Sequence, residues 1–110
     1  MKSRTLKENK DFRRIYYRGR SEASSALVTY AVKSRLPHSR VGITSGKKIG
    51  GAVQRNRARR LIRAAFSLYE DELCGNWDIV FVARTQTTQV KMQTVAEQME
   101  AQLKKLGGLK

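Results

Sequence analysis

Apolar residues recur along this chain with different periods, and each period predicts an element. Phe12, Ile15 and Tyr16 are spaced i, i+3 and i+4, which predicts a short helix over about 7–18, stopped by Gly19. The stretch "SALVTYAVK" at 25–33 instead alternates as a strand does. Val28, Tyr30 and Val32 share one face, and Leu27, Thr29 and Ala31 share the other. Turn residues "LPHS" at 36–39 then lead to a second strand, "RVGIT" at 40–44, expected to pair with the first as a hairpin. A glycine-bracketed loop, with Gly46, Gly50 and Gly51 around Lys47 and Lys48, precedes a long helix expected over 52–73. At about 100° per residue, its Ala58, Leu61, Ile62, Ala65, Phe66, Leu68, Tyr69 and Leu73 form one stripe. Gly75 and Asn76 end it. "DIVFVAR" at 78–84 is almost continuously apolar, as in a central strand buried on both faces. Met92, Val95, Ala96, Met99, Leu103 and Leu106 mark a last helix. The predicted order is α-β-β-α-β-α in an α+β fold, with one domain over 1–110 and a frayed basic arm over 1–5.

Charge changes this picture more than size does. A chain of 110 residues, 40% of them hydrophobic and one of them proline, suits one modest core. Against nine acids stand 23 Lys and Arg, for a net charge of +14. Such a surplus fits nucleic acid or an anionic membrane surface. Its placement is local. No acid occurs between Glu22 and Glu70, where ten Lys or Arg fall, and then Glu70, Asp71 and Glu72 arrive together. Those acids are expected to end the long helix and pair with arginines or water. One cysteine, Cys74, allows no internal disulfide and fits a reducing compartment as a half-buried packing residue. No stretch approaches the roughly 20 apolar residues of a membrane span, so a cytoplasmic location is expected.

On the wheel of the long helix, Asn56, Arg59, Arg60 and Arg63 lie opposite the apolar stripe, with Arg55 and Arg57 on its flanks. Guanidinium groups donate paired hydrogen bonds to phosphate, and glycines before a helix let backbone amides approach the same anion. A merely solvated face is disfavoured because no carboxylate stands at i,i+4 to relieve the arginines. Lying on a membrane would take the apolar stripe away from a core that needs it. Entry into a DNA groove is disfavoured too, since no turn-linked helix precedes this one and its core stripe runs throughout.

A second surface is expected where the first helix meets the sheet. Phe12 and Tyr16 lie one turn apart, Val28 and Tyr30 alternate on one strand face, and the four can meet along a groove. Aromatic rings there would stack unpaired bases for roughly 1–3 kcal/mol each. Arg13, Arg14 and Lys33 stand near enough in sequence to engage phosphates. Phe12 fits core packing as well as it fits the groove, and Trp77 is expected at the core or its rim. Catalytic residues are not expected. His38, the one histidine, falls in a turn, and no His, Cys, Asp or Glu grouping has metal-ligand spacing.

The ordered run "KKIGGAVQRNRARRLIRAAF" at 47–66 closely resembles the signature of the bacterial ribonuclease P protein family. "DFRRIYYRGR" at 11–20 and "SRVGIT" at 39–44 extend the resemblance over nearly the whole chain. It implies an α-β sandwich of the same element order with an uncommon left-handed βαβ crossover, against the usual right-handed preference. It further implies a protein that assists a catalytic RNA in removing the 5′ leader of precursor tRNA, with the RNA using Mg²⁺ and the protein binding no cofactor of its own. By resemblance, Arg55, Asn56 and Arg57 contact the catalytic RNA, and Lys47, Lys48, Arg59, Arg60 and Arg63 extend that surface. Phe12, Arg13, Tyr16, Val28, Tyr30 and Lys33 line the cleft for the leader. Gly46 and Gly51 depart from the polar residues common in the family, so two of the family's side-chain contacts are expected to be missing here, with backbone contacts left to serve at those positions. The competing reading is a small structural or ribosome-associated RNA-binding protein with no part in cleavage; size and composition do not separate the two, whereas the ordered motif does.

Overall fold

The computed structural model describes residues 3–110. One five-stranded sheet, ordered β1-β4-β5-β3-β2, carries a single helix on one face and two on the other. Its elements are β1 (Arg4–Thr5), α1 (Asn9–Arg18), β2 (Arg20–Ser24), β3 (Leu27–Lys33), β4 (Arg40–Thr44), α2 (Ala52–Ser67), β5 (Trp77–Ala83) and α3 (Met92–Leu106). The predicted α-β-β-α-β-α order is therefore present, with β1 and β2 added to it.

β5 takes the centre because its side chains are buried on both faces. It pairs antiparallel with β3 and parallel with β4. β3 and β4 consequently do not form the expected hairpin; the turn at 34–39 carries the chain past β5. β3 pairs instead with β2, a strand that the sequence pattern hid. "RSEAS" offers no apolar alternation, and its exposed Arg20 and half-buried Glu22 suit a charged sheet edge. At the other edge, Arg4–Thr5 pairs parallel with β4, so part of the supposed arm is a strand; positions 1 and 2 lie outside the described residues.

β4, α2 and β5 form the βαβ unit, with α2 behind the sheet. Ala58, Ile62, Ala65 and Phe66 are buried there, and Phe66 packs against Phe81 with ring centroids 5.3 Å apart and planes tilted by 56°. The helix stops at Ser67, short of the expected Leu73, and Leu68 is exposed rather than part of the stripe. Three consecutive carboxylates would oppose the negative end of the helix dipole. They occupy the first turn of a separate 3-10 turn, Glu70–Glu72, where that sign is favourable. α3 buries Val95, Ala96, Met99, Leu103 and Leu106 as its spacing predicts, and ends at Gly107 in the left-handed conformation.

Polar side chains fasten α3 to β3. The Gln102 amide donates to the Leu27 carbonyl at 2.8 Å, and its oxygen accepts from the buried Thr29 hydroxyl at 2.5 Å. Thr29 thus points to the α2–α3 side, while Tyr30 and Val32 face α1. The alternation read from 27–32 is the division between the two cores.

Candidate nucleic-acid interface

α1 lies across the outer face of the sheet on one buried contact, Ile15, which meets Leu6 and Val80. With Ile15 pointing inward, helical geometry sends Phe12 and Tyr16 to one flank, and Asp11, Arg14 and Arg18 to the other. The first flank forms a furrow. Tyr16 meets Tyr30 edge to face with centroids 4.9 Å apart, and Phe12 tilts against Tyr16 at 6.5 Å. Val28 stands half-buried on the same face of β3 as Tyr30. Tyr16 is 40% exposed, so its ring has a free surface as well as a packed one. Arg13 is exposed on the outer side of this flank.

Gly42 seats the furrow. A Cβ at this position would lie 2.6 Å from the Phe12 ring. Only a bare backbone in β4 lets that ring rest on the sheet, and Phe12 is both a packing residue and a wall of the furrow. Gly42→Val is expected to push the ring out of place and cost about 2 kcal/mol, measurable as a lowered melting temperature. The folded fraction should also show altered Tyr16 and Tyr30 ring signals by NMR.

Lys33 falls elsewhere. It sits at the end of β3 paired with Trp77, on the strand face of Leu27, Thr29 and Ala31, and lines the rims of two depressions, one beside Arg18 and Arg35 and one beside Trp77 and Leu106. Arg14, also expected to face phosphates, is held by carboxylates. Its Nη2 donates to Asp78 at 2.6 Å and lies 3.7 Å from Asp11. Arg40 donates to Asp78 through Nε at 3.0 Å and Nη2 at 2.9 Å. Burial alone would push the Asp78 carboxyl up, but the hydrogen bonds from Arg40 and Arg14 outweigh it and hold the group below the ordinary carboxylate range. Arg40 is raised in turn, first by that hydrogen bond. This cluster bolts α1 to β4 and β5 on the flank opposite the furrow. A signal for it existed in the sequence: an acid opening a strand buried on both faces must find a cationic partner.

The basic helix matches its wheel in part. Asn56, Arg57, Arg60 and Arg63 are exposed, and Arg55 is half-buried. Arg59 is also half-buried; it donates to the Ser45 hydroxyl at 3.0 Å and to the Asn56 side-chain oxygen, tying α2 to the end of β4. Lys47 and Lys48 are exposed on a 3-10 turn, Lys47–Ile49, whose Ile49 packs on the core. Gly51 is the N-cap of α2 and supplies no side chain to the first turn. Among the described residues, none of these α2 arginines or turn lysines pairs with a carboxylate. A shallow depression between Val53, Asn56, Arg59, Arg60 and Arg63 runs along the ridge.

Among the described residues no group of three or more His, Cys, Asp or Glu side chains is placed to hold a metal ion. His38 and Cys74 are half-buried and stand apart, and Trp77 is a core residue whose Nε1 donates to the Cys74 carbonyl at 2.9 Å. No helix among the described residues is long and apolar enough to cross a membrane. The fold is a small α+β domain with a guanidinium ridge behind its sheet and an aromatic furrow in front, a charge and ring pattern of the kind that suits a polyanion.

Comparison with known proteins identifies the particular family. The family model described as ribonuclease P matches residues 1–107. The ribonuclease P protein component of Clostridioides difficile is 38% identical over 105 residues, covering 94% of this chain and 92% of that protein. That of Pelotomaculum thermopropionicum is 41% identical over 100 residues, covering 91% and 89%. The solved Staphylococcus aureus RNase P protein superposes with a TM-score of 0.85 at 32% identity, covering 99% of this chain and all of that one. The Thermotoga maritima RNase P protein does so with a TM-score of 0.78 at 27% identity, covering 96% and 97%. The chain belongs to the ribonuclease P protein family, the protein component of a tRNA-processing endoribonuclease.

Proposed function

We propose that this chain is the RNA-binding subunit of ribonuclease P and has two working surfaces. Lys47, Lys48, Arg55, Asn56, Arg57, Arg59, Arg60 and Arg63 hold the catalytic RNA. Phe12, Arg13, Tyr16, Val28 and Tyr30 hold the single-stranded 5′ leader of precursor tRNA. The observation that carries this reading is the ridge of α2, where guanidinium groups stand without carboxylate partners among the described residues while the opposite side of the same helix completes the core. Leaving such charges unpaired is costly without a polyanion to meet them. The Tyr16–Tyr30 contact supports the second surface, because a half-exposed ring fixed by a second ring is a ready stacking platform.

Hydrolysis belongs to the RNA subunit in this reading, with Mg²⁺ bound by the RNA activating the attacking and leaving oxygens. The protein's cations lower repulsion between leader, tRNA and catalytic RNA. The partners are thus the catalytic RNA and precursor tRNA, and the site of action is the cytoplasm. The test is to add the chain to its cognate catalytic RNA at low Mg²⁺ and follow 5′ cleavage. Cleavage should rise with protein and its Mg²⁺ requirement should fall; an unchanged Mg²⁺ dependence would defeat the proposed screening. Tyr16→Ala and Tyr30→Ala should each reduce the preference for precursor over mature tRNA by about tenfold, the value of one lost stacking contact. An equal loss for both substrates would make those rings packing residues only.

A further inference from the structure

The second flank of α1 is lined as a binding site that the two surfaces above leave unused. A cavity of about 400 Å³ lies between α1, the ends of β3, β4 and β5, and the turn after β3. Arg14, Arg18, Lys33, Arg35 and Arg40 supply its cations, and Asp11 and Asp78 its only acids. The two acids are occupied by Arg14 and Arg40. Arg18, Lys33 and Arg35 are exposed and have no carboxylate partner among the described residues. Val32 and the 39%-exposed Leu36 give the site an apolar side. Two open arginines, Arg18 and Arg35, with Lys33 at the rim, stand beside a small apolar wall, which suits a nucleotide with its phosphate on the former and its sugar or base on the latter.

We infer that this cavity takes phosphate groups of the leader farther from the tRNA, after the strand has left the aromatic furrow and crossed the crest of α1. The inference rests on the leader reading of the furrow. Strand register supplies the direction. Val28 aligns with Val82 and Thr44, at the end of the sheet where β4 finishes and the chain turns toward α2. Tyr30 aligns with Val80 and Gly42 in the middle, and Val32 with Asp78 and Arg40 at the far end. The furrow therefore lies between the start of α2 and the cavity, and α1 separates furrow from cavity.

The crest that a strand must cross carries Arg13 and Tyr17, the two positions opposite Ile15 on the helix. Tyr17 is 90% exposed. None of the described residues covers that ring, and a base stacked on it between the charges of Arg13 and Arg18 would bridge the two flanks. A helix with its side chains is about 10–12 Å across, so only leaders that extend beyond the furrow reach the cavity.

The experiment uses the holoenzyme and precursor tRNAs with a series of leader lengths. Affinity for the unmodified protein should rise as leaders fill the furrow, and rise again in a second step for longer ones. The double variant Arg18→Gln with Arg35→Gln should abolish the second step, lowering long-leader affinity roughly tenfold and the salt slope by about 1.4. Tyr17→Ala should weaken the same step, with short-leader binding unchanged in both variants. A single plateau at furrow length, or equal losses at every length, would overturn the inference. So would chemical-shift changes around Arg35 with inorganic phosphate in the absence of any length step, since the cavity would then be a small-anion site. Failure of the furrow reading is separate and visible: Tyr16→Ala and Tyr30→Ala would then lower affinity for precursor and mature tRNA equally at every leader length, or not at all.

Discussion

Replacing Arg57, Arg60 and Arg63 together by alanine is expected to weaken binding of the catalytic RNA on the order of a hundredfold near physiological salt, from the loss of charge-assisted hydrogen bonds to phosphate. The slope of log affinity against log salt should become shallower by about three, one for each phosphate contact removed. Stability should change little, because these side chains are exposed and pair with no carboxylate among the described residues. Melting temperature should even rise slightly as repulsion along the ridge falls. Arg59→Ala is a different experiment. That guanidinium braces Ser45 and Asn56, so its removal should loosen the start of α2 as well as delete a charge. Filter binding or fluorescence anisotropy over a salt series, beside thermal melts, separates the two. Loss of stability without a change in salt slope in the triple variant would refute the ridge as the RNA-binding surface.

Asp78→Ala has the largest expected effect on the fold. The carboxylate is almost fully buried and holds two arginines from two elements, so its loss leaves Arg14 and Arg40 sharing only the more distant Asp11, at 3.7 and 3.5 Å. Removing one member of a buried pair costs about 3–5 kcal/mol, and partial solvent access to both guanidinium groups places this case near 3 kcal/mol. For a domain of this size, the melting temperature should drop by about 10 °C. α1 should loosen first, because the cluster joins it to β4 and β5, and the furrow should lose its leader preference before the core melts. The same carboxylate defines an acid limit. Its folded-state pKa lies below the unfolded value, so its contribution is complete above the unfolded pKa of about 4 and is lost as pH falls through the folded pKa. Acid titration should therefore destabilise the unmodified protein more than Asp78→Ala over that range. Parallel acid curves would show that the cluster contributes nothing.

Much of the candidate site was legible because its signals are local. The α2 ridge follows from a helical period and an absence of acids, both visible in 46–66. The faces of β3 follow from alternation alone, and burial repeats them residue by residue. Errors arose where partners are distant. Arg14 reads as a free cation until Asp78, 64 positions away, is brought within 2.6 Å. Lys33 reads as a companion of Tyr30 although strand alternation puts it on the opposite face, at the sheet end beside Trp77 and Arg35. Arg59 reads as one more ridge charge until Ser45 takes its hydrogen bond.

The sequence by itself determined the class of each main element, the two-sided burial of β5 and the guanidinium surface of α2. Each depends on the period and charge of neighbouring residues, which chain geometry converts directly into faces. Only the tertiary structure decided that β5 separates β3 from β4, that a polar strand closes the sheet edge, and that α1 divides one sheet face into an aromatic furrow and a cationic cavity. Those outcomes depend on which surfaces compete to be buried together, and on how a buried charge finds its partner across the fold. No local pattern carries that information.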